Sequence, residues 1–172
     1  LRHLLNHTSG IAEPKVDLRR DYTDAEFLQA AFSVPLISEP GQRWRYSSMG
    51  YLILGIVVSR SNGEFYGELL HKRVFEPLGM RTARVISERD IIPNRAAGYE
   101  LTDEGIKNQQ WVAPTHNRTA DGTLYLSALD YAQWEGGLRS RALLQPSSWR
   151  EILQPAKLAD GTQAGYGFGW EL

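Results

Sequence analysis

Apolar positions along this chain fall into short stripes at helical spacing, separated by turn-rich stretches. Met49, Leu52, Ile53, Ile56 and Val57 recur three and four residues apart behind Ser47, a suitable N-cap, and Asn62-Gly63 supplies the stop. Thr23-Asp24-Ala25-Glu26 is a capping-box pattern opening a short helix to about Phe32, closed by Pro35. A helix from about Glu64 to Val74, with Phe65, Leu69 and Leu70 inward, is ended by Pro77-Leu78-Gly79. Ser127 caps another, with Asp130 at its third position and Tyr131, Trp134 and Leu138 on one face. Leu1 to Leu5 reads as the end of a helix stopped by Gly10, and Pro146 precedes a last helix over about Ser147–Leu153.

Strand signals are weaker. Thr82–Ile86 and Ala96–Leu101 suit short strands that pair with Trp111-Val112, and Gly165–Trp170 alternates glycine and aromatic as an edge strand does. Pro40-Gly41 and Asp121-Gly122 are turns. The pattern as a whole predicts an α+β, helix-rich unit with short strands and an incomplete sheet.

Composition changes this picture little. With 42% hydrophobic and 23% charged residues, the 172-residue chain can bury the core of one domain. A net charge of −1 gives no reason to expect nucleic acid as a partner. The absence of cysteine excludes disulfides, thiolate metal sites and thiol nucleophiles. It leaves periplasmic, secreted and cytoplasmic locations equally open.

Six stretches carry the chemistry. They are Leu4-Leu5-Asn6-His7-Thr8-Ser9-Gly10-Ile11, Glu39 to Tyr51, Phe75-Glu76-Pro77-Leu78-Gly79-Met80, Asn94 to Tyr99, Asp121 to Ser127 with Asp130, and Tyr166-Gly167-Phe168-Gly169-Trp170. In this order the chain resembles the β-lactamase-related serine hydrolases, a family of class C β-lactamases, D-alanyl-D-alanine carboxypeptidases, D-amino-acid peptidases and esterases. The resemblance implies the β-lactamase/transpeptidase-like fold and acyl transfer through a serine. Its substrates would be β-lactams, D-amino-acid peptides or esters, and no cofactor or metal is implied. Family chemistry rests on a Ser-x-x-Lys turn, a Tyr-x-Asn element and a Lys- or His-x-Gly strand.

One of the three is present. Tyr46-Ser47-Ser48 takes the Tyr-x-Asn place, which makes Tyr46 the candidate catalytic acid–base and Ser48, standing where asparagine is usual, the candidate substrate-binding residue. Serine is shorter than asparagine and exchanges fewer hydrogen bonds. Residues three before Lys15, Lys72, Lys107 and Lys157 are Ala12, Leu69, Glu104 and Gln154, so no Ser-x-x-Lys occurs. Nor does Lys-Thr-Gly or Lys-Ser-Gly. The resemblance puts both missing elements beyond the ends of residues 1–172, so the expectation is a single partial domain of a longer enzyme. On its own the chain is expected to be inactive, because a general base without a nucleophile transfers no acyl group. The alternative is a non-catalytic binding module on the same scaffold. An unfinished sheet would also leave an edge for self-association with a second copy.

A free tyrosine has a pKa near 10, so a tyrosine base needs positive charge close by. Strict alternation would put Arg43 and Arg45 on the face opposite Tyr46. His7 reads as a structural residue with local hydrogen bonds. His3 and His7 lack a third neighbour for a metal. Trp44, Trp111 and Tyr125 could line a cleft, with core packing the default.

Overall fold

The structure, a computed structural model, describes residues 1–172 apart from the side chain of Asn117. Along the chain run α1 (Arg2–Leu5), α2 (Asp24–Phe32), α3 (Ser48–Asn62), α4 (Tyr66–Leu70, continued by a π turn over His71–Phe75), β1 (Arg84–Val85), β2 (Tyr99–Thr102), β3 (Gly105–Asn108), α5 (Pro114–Asn117), β4 (Leu124–Tyr125), α6 (Ala128–Ser140), α7 (Pro146–Ile152), β5 (Ala156–Lys157) and β6 (Gln163–Ala164). The chain is α+β, as the sequence pattern predicts, and the sheet is more fragmented than a single unfinished one. Three separate antiparallel pairs form, β1 with β4, β2 with β3, and β5 with β6.

Helix α3 organises the first core. Ser47 Oγ accepts the Gly50 N–H at 3.1 Å, and Gly63, with φ of 70°, ends the helix. Met49, Leu52 and Ile53 pack with Ala31 of α2, and Leu4, Ile11, Leu28 and Val57 close round them. Thr23 and Glu26 form the predicted capping box at the start of α2. A second core gathers Phe75, Met80 and Ala83 against Leu70, Val74, Leu78 and Trp134 of α6. Ser127 caps α6, as the sequence predicts, and Asp130 at the third position answers it reciprocally to complete a capping box. Tyr131 departs from expectation: it is 61% exposed, because the inward face of α6 runs through Asp130, Trp134 and the buried Gly137, which sits on Leu78.

The strand expectations need correction. β2 folds back on β3 across Asp103-Glu104, so its partner is the adjacent segment, and Trp111-Val112 forms no strand. Residues 165–170 make a tight turn, with Gly167 N–H on Trp170 O at 2.7 Å and Tyr166 bridged to Glu171. Close tertiary contact decides this. A Cβ on Gly167 would lie 2.1 Å from Ile152 O, so the glycine lets two backbones meet where alternation alone suggested a strand. Gly10 likewise does not stop α1. The chain leaves that helix through His7, which holds the left-handed conformation (φ of 57°).

No helix among the described residues is long and apolar enough to cross a membrane.

Candidate active site

The site begins at the end of α1. His7 is 2% exposed, and its Nδ1 accepts the backbone N–H of Ser47 at 3.2 Å. Its own carbonyl accepts the Arg45 N–H at 2.9 Å. These two bonds hold the extended segment 43–47 alongside His7 and deliver the chain into α3. The predicted local hydrogen bonding of His7 holds for its backbone N–H, which meets Leu4 O at 3.3 Å, but its ring partner is 40 residues away in sequence. An accepting Nδ1 leaves the proton of the neutral ring on Nε2, which is buried without a hydrogen-bond partner among the described residues. His3 uses its Nδ1 on Thr8 Oγ1 at 2.7 Å. No group of three or more potential metal ligands exists among the described residues.

Four aromatic rings surround His7. Centroid separations are 4.3 Å to Tyr46, 5.0 Å to Tyr51, 4.9 Å to Tyr166 and 6.3 Å to Trp44. The Tyr46 ring lies tilted by 35° on the imidazole, and its hydroxyl makes no hydrogen bond among the described residues. Tyr46 is 56% exposed and borders a groove of about 980 Å³. Trp44 and Tyr166 make the aromatic wall of that groove, and Arg43, Asp160 and Glu171 carry its charge. Core packing does not hold for Trp44 (41% exposed) or Trp111 (49% exposed). Trp44 lines the groove, while Tyr125 is half-buried in β4. Arg43 borders the groove along with Trp44 and Tyr46, and Arg45 does not.

Burial sorts the tyrosines. Desolvation, with Tyr166 and Tyr46 beside it, pushes Tyr51 up to about 12, and its hydroxyl is committed to Leu5 O at 2.9 Å. Desolvation also raises Tyr166, helped by Tyr46 and Glu171. Tyr51 and Tyr166 are thus held as neutral phenols, and Tyr46 is the ring of this cluster most open to the groove. Burial lowers His7, against the opposing pull of the Asp121 and Glu13 carboxylates, so the imidazole is neutral at pH 7.

Ser48 is the first residue of α3, half-buried, and Ser47 ahead of it is consumed as the cap. The structure thus brings Tyr46 and Ser48 to one helix start. Glu13 was not legible as part of this site. Its carboxylate receives the Met49 N–H at 3.2 and 3.3 Å, complementing the positive end of α3 from 36 residues away. Asp121 forms the predicted turn with Gly122 and lies near enough to act electrostatically on His7 and on the half-buried His116.

The family described as Beta-lactamase matches residues 1–172. A penicillin-binding protein of Bacillus subtilis (strain 168) is 28% identical over 198 residues, covering 100% of this chain and 42% of its own length. A D-aminopeptidase of Gluconobacter oxydans (strain 621H) is 28% identical over 136 residues, covering 76% of this chain and 25% of its own. The crystal structure of a penicillin binding protein from Bacillus halodurans superposes with a TM-score of 0.81 at 26% identity, over 97% of this chain and 54% of that one. The chain therefore spans less than half the length of the curated relatives it matches.

Proposed function

We propose a function from one premise: the chain belongs to the beta-lactamase family. In this reading it is the tyrosine-bearing part of a serine hydrolase domain that cleaves β-lactams or amides and peptides of D-amino acids. Esters are the third class open to the same acyl-transfer scheme. Tyr46 takes the proton of an attacking serine and returns it to the leaving group, and Ser48 hydrogen-bonds the bound substrate. The observation that carries this is the contrast within the His7 cluster: Tyr46 keeps its hydroxyl open to the groove, while Tyr51 has spent its own on a backbone carbonyl.

The sequence contains no Ser-x-x-Lys and no Lys-Thr-Gly, so residues 1–172 hold an acid–base group without its nucleophile. Purified, they turn over no chromogenic β-lactam and no D-amino-acid anilide. Turnover lost in Tyr46→Phe would show that this chain supplies a nucleophile of its own. In a longer product of the same gene that supplies Ser-x-x-Lys, Tyr46→Phe lowers kcat by about 10²–10⁴-fold with KM little changed. Unchanged kcat there would remove Tyr46 from the mechanism.

Ser48 favours a second reading, a binding module that has left catalysis. Its Oγ makes no hydrogen bond among the described residues, so a ligand group can use it without displacing a structural partner. Self-association has its own support. The β2–β3 hairpin exposes Tyr99 (66%), Leu101 (84%) and Ile106 (74%) on a two-stranded pair with open edges. Sedimentation should show mass rising with concentration, abolished by Leu101→Lys. A monomer at all concentrations would reject the idea.

A further inference from the structure

Tyr46 packs on a residue that is buried and lies outside the groove. Segment 43–47 belongs to no helix or strand, yet it carries the candidate catalytic side chain. Its fixings on the His7 side are few and can be named. Arg45 N–H meets His7 O at 2.9 Å, Ser47 N–H meets His7 Nδ1 at 3.2 Å, and the Tyr46 ring lies on the imidazole at 4.3 Å. Two of the three depend on the imidazole ring.

We infer that His7 is the positioning residue for Tyr46, holding it in place only while the imidazole is unprotonated. This rests on the reading of Tyr46 as the acid–base group. The chemistry is direct. Protonating Nδ1 turns the acceptor of the Ser47 N–H into a second donor, so that two N–H groups face each other and the bond is lost. The ring would also become a cation in a buried site. Its surroundings are the rings of Trp44, Tyr46, Tyr51 and Tyr166, with the Asp121 and Glu13 carboxylates acting from farther off. The carboxylates favour the cation and burial opposes it, so the transition belongs below the ordinary histidine range. Residues 46 and 47 then lose their hold on the ring, leaving Arg45 N–H on His7 O as the remaining fixing, and Tyr46 loses the face that orients it.

The test needs no catalysis, so its failure is separable from failure of the acyl-transfer reading. Residues 1–172 are followed by NMR from pH 8 to pH 4, recording the His7 ring carbons, the Tyr46 ring and the Ser47 amide. The Met80 methyl, buried in the second core, reports that the fold is intact. Glu13→Gln, repeated over the same range, separates titration of that carboxylate. The expected result is one shared transition for His7, Ser47 and Tyr46 while Met80 stays still. His7→Asn, which keeps an acceptor and tolerates a left-handed backbone, should hold the Ser47 amide near its neutral-pH position and abolish the transition. His7→Phe, which keeps a ring without an acceptor, should shift the Ser47 amide at every pH. A His7 titration that leaves Tyr46 and Ser47 unmoved overturns the inference. If both variants fail to fold, the wild-type titration alone decides.

Discussion

Two buried polar residues each tie distant stretches of this chain together, and they do so in opposite charge states. His7 is 2% exposed and Asp130 is 3% exposed. His7 receives one backbone N–H and leaves its other nitrogen unpaired, so burial prevails and its pKa falls. Asp130 is also opposed by burial. Against that, it accepts the Thr82 hydroxyl and N–H and the Ser127 N–H and hydroxyl, and these hold its carboxyl down at about 2. Burial is nearly the same in both. The kind of partner decides the charge: four donors hold the carboxylate as an anion, while a donor on Nδ1 and no acceptor on Nε2 keep the imidazole neutral. The fully satisfied carboxylate suits a permanent staple between α6 and the chain before β1. The half-satisfied imidazole suits a fixing that can be released.

The largest break in this comparison is Asp130→Ala. It removes the carboxylate arm of the α6 capping box, while the backbone N–H of residue 130 keeps Ser127 Oγ, and it strands the Thr82 and Ser127 N–H groups, at a cost of about 3 kcal/mol by urea unfolding. A cost below about 1 kcal/mol would mean that water replaces the carboxylate. Asp130→Asn, which keeps one acceptor, should lose about half as much.

Next comes His7→Phe, at about 2 kcal/mol, from an unpaired Ser47 N–H and a bulky residue at positive φ. His7→Asn should cost about 1 kcal/mol. The reverse order would mean that ring stacking, not the hydrogen bond, dominates at this position.

The pH dependence sharpens the contrast, because the two groups act in separate windows. The folded pKa of His7 lies below its unfolded value of 6.5, so the unfolded chain takes up the proton first. Stability therefore falls as pH drops below about 6.5. His116, also lowered by burial, adds to the same window. Asp130 stabilises fully above its unfolded value of 3.8, and that contribution is lost as pH falls toward about 2. Urea midpoints against pH should lose the upper slope in a His7→Asn, His116→Asn double variant and the lower one in Asp130→Asn.

The smallest effect comes from the exposed counterpart of the α6 box. Thr23 and Glu26 share its geometry at the start of α2 but lie at the surface. Thr23→Ala should cost about 1 kcal/mol, checked in the same urea series. A value equal to that of Asp130→Ala would deny that burial amplifies the box.

What could be read in advance follows the range of the contacts. The α2 capping box, the Ser127 and Ser47 caps and the Gly63 stop were legible, since each is closed by residues within a turn of one another. Tyr46 and Ser48 were legible as candidates through the resemblance of their neighbourhood. Their surroundings were not. Nothing local to His7 announces the Ser47 N–H, and nothing local to Glu13 announces the start of α3. The run 165–170 was misread because Ile152 and Leu5 lie on top of it, with Phe168 N–H on Ile152 O at 2.9 Å and Gly169 N–H on Leu5 O at 3.2 Å.

By itself, then, the sequence determined the longer helices, their side-chain caps and the family to which the chain belongs. Short-range hydrogen bonds and apolar periodicity are properties of consecutive residues. Tertiary structure alone decided which tyrosine is buried, which histidine is neutral and where the groove opens. Each of those depends on desolvation and on donors brought in from remote parts of the chain.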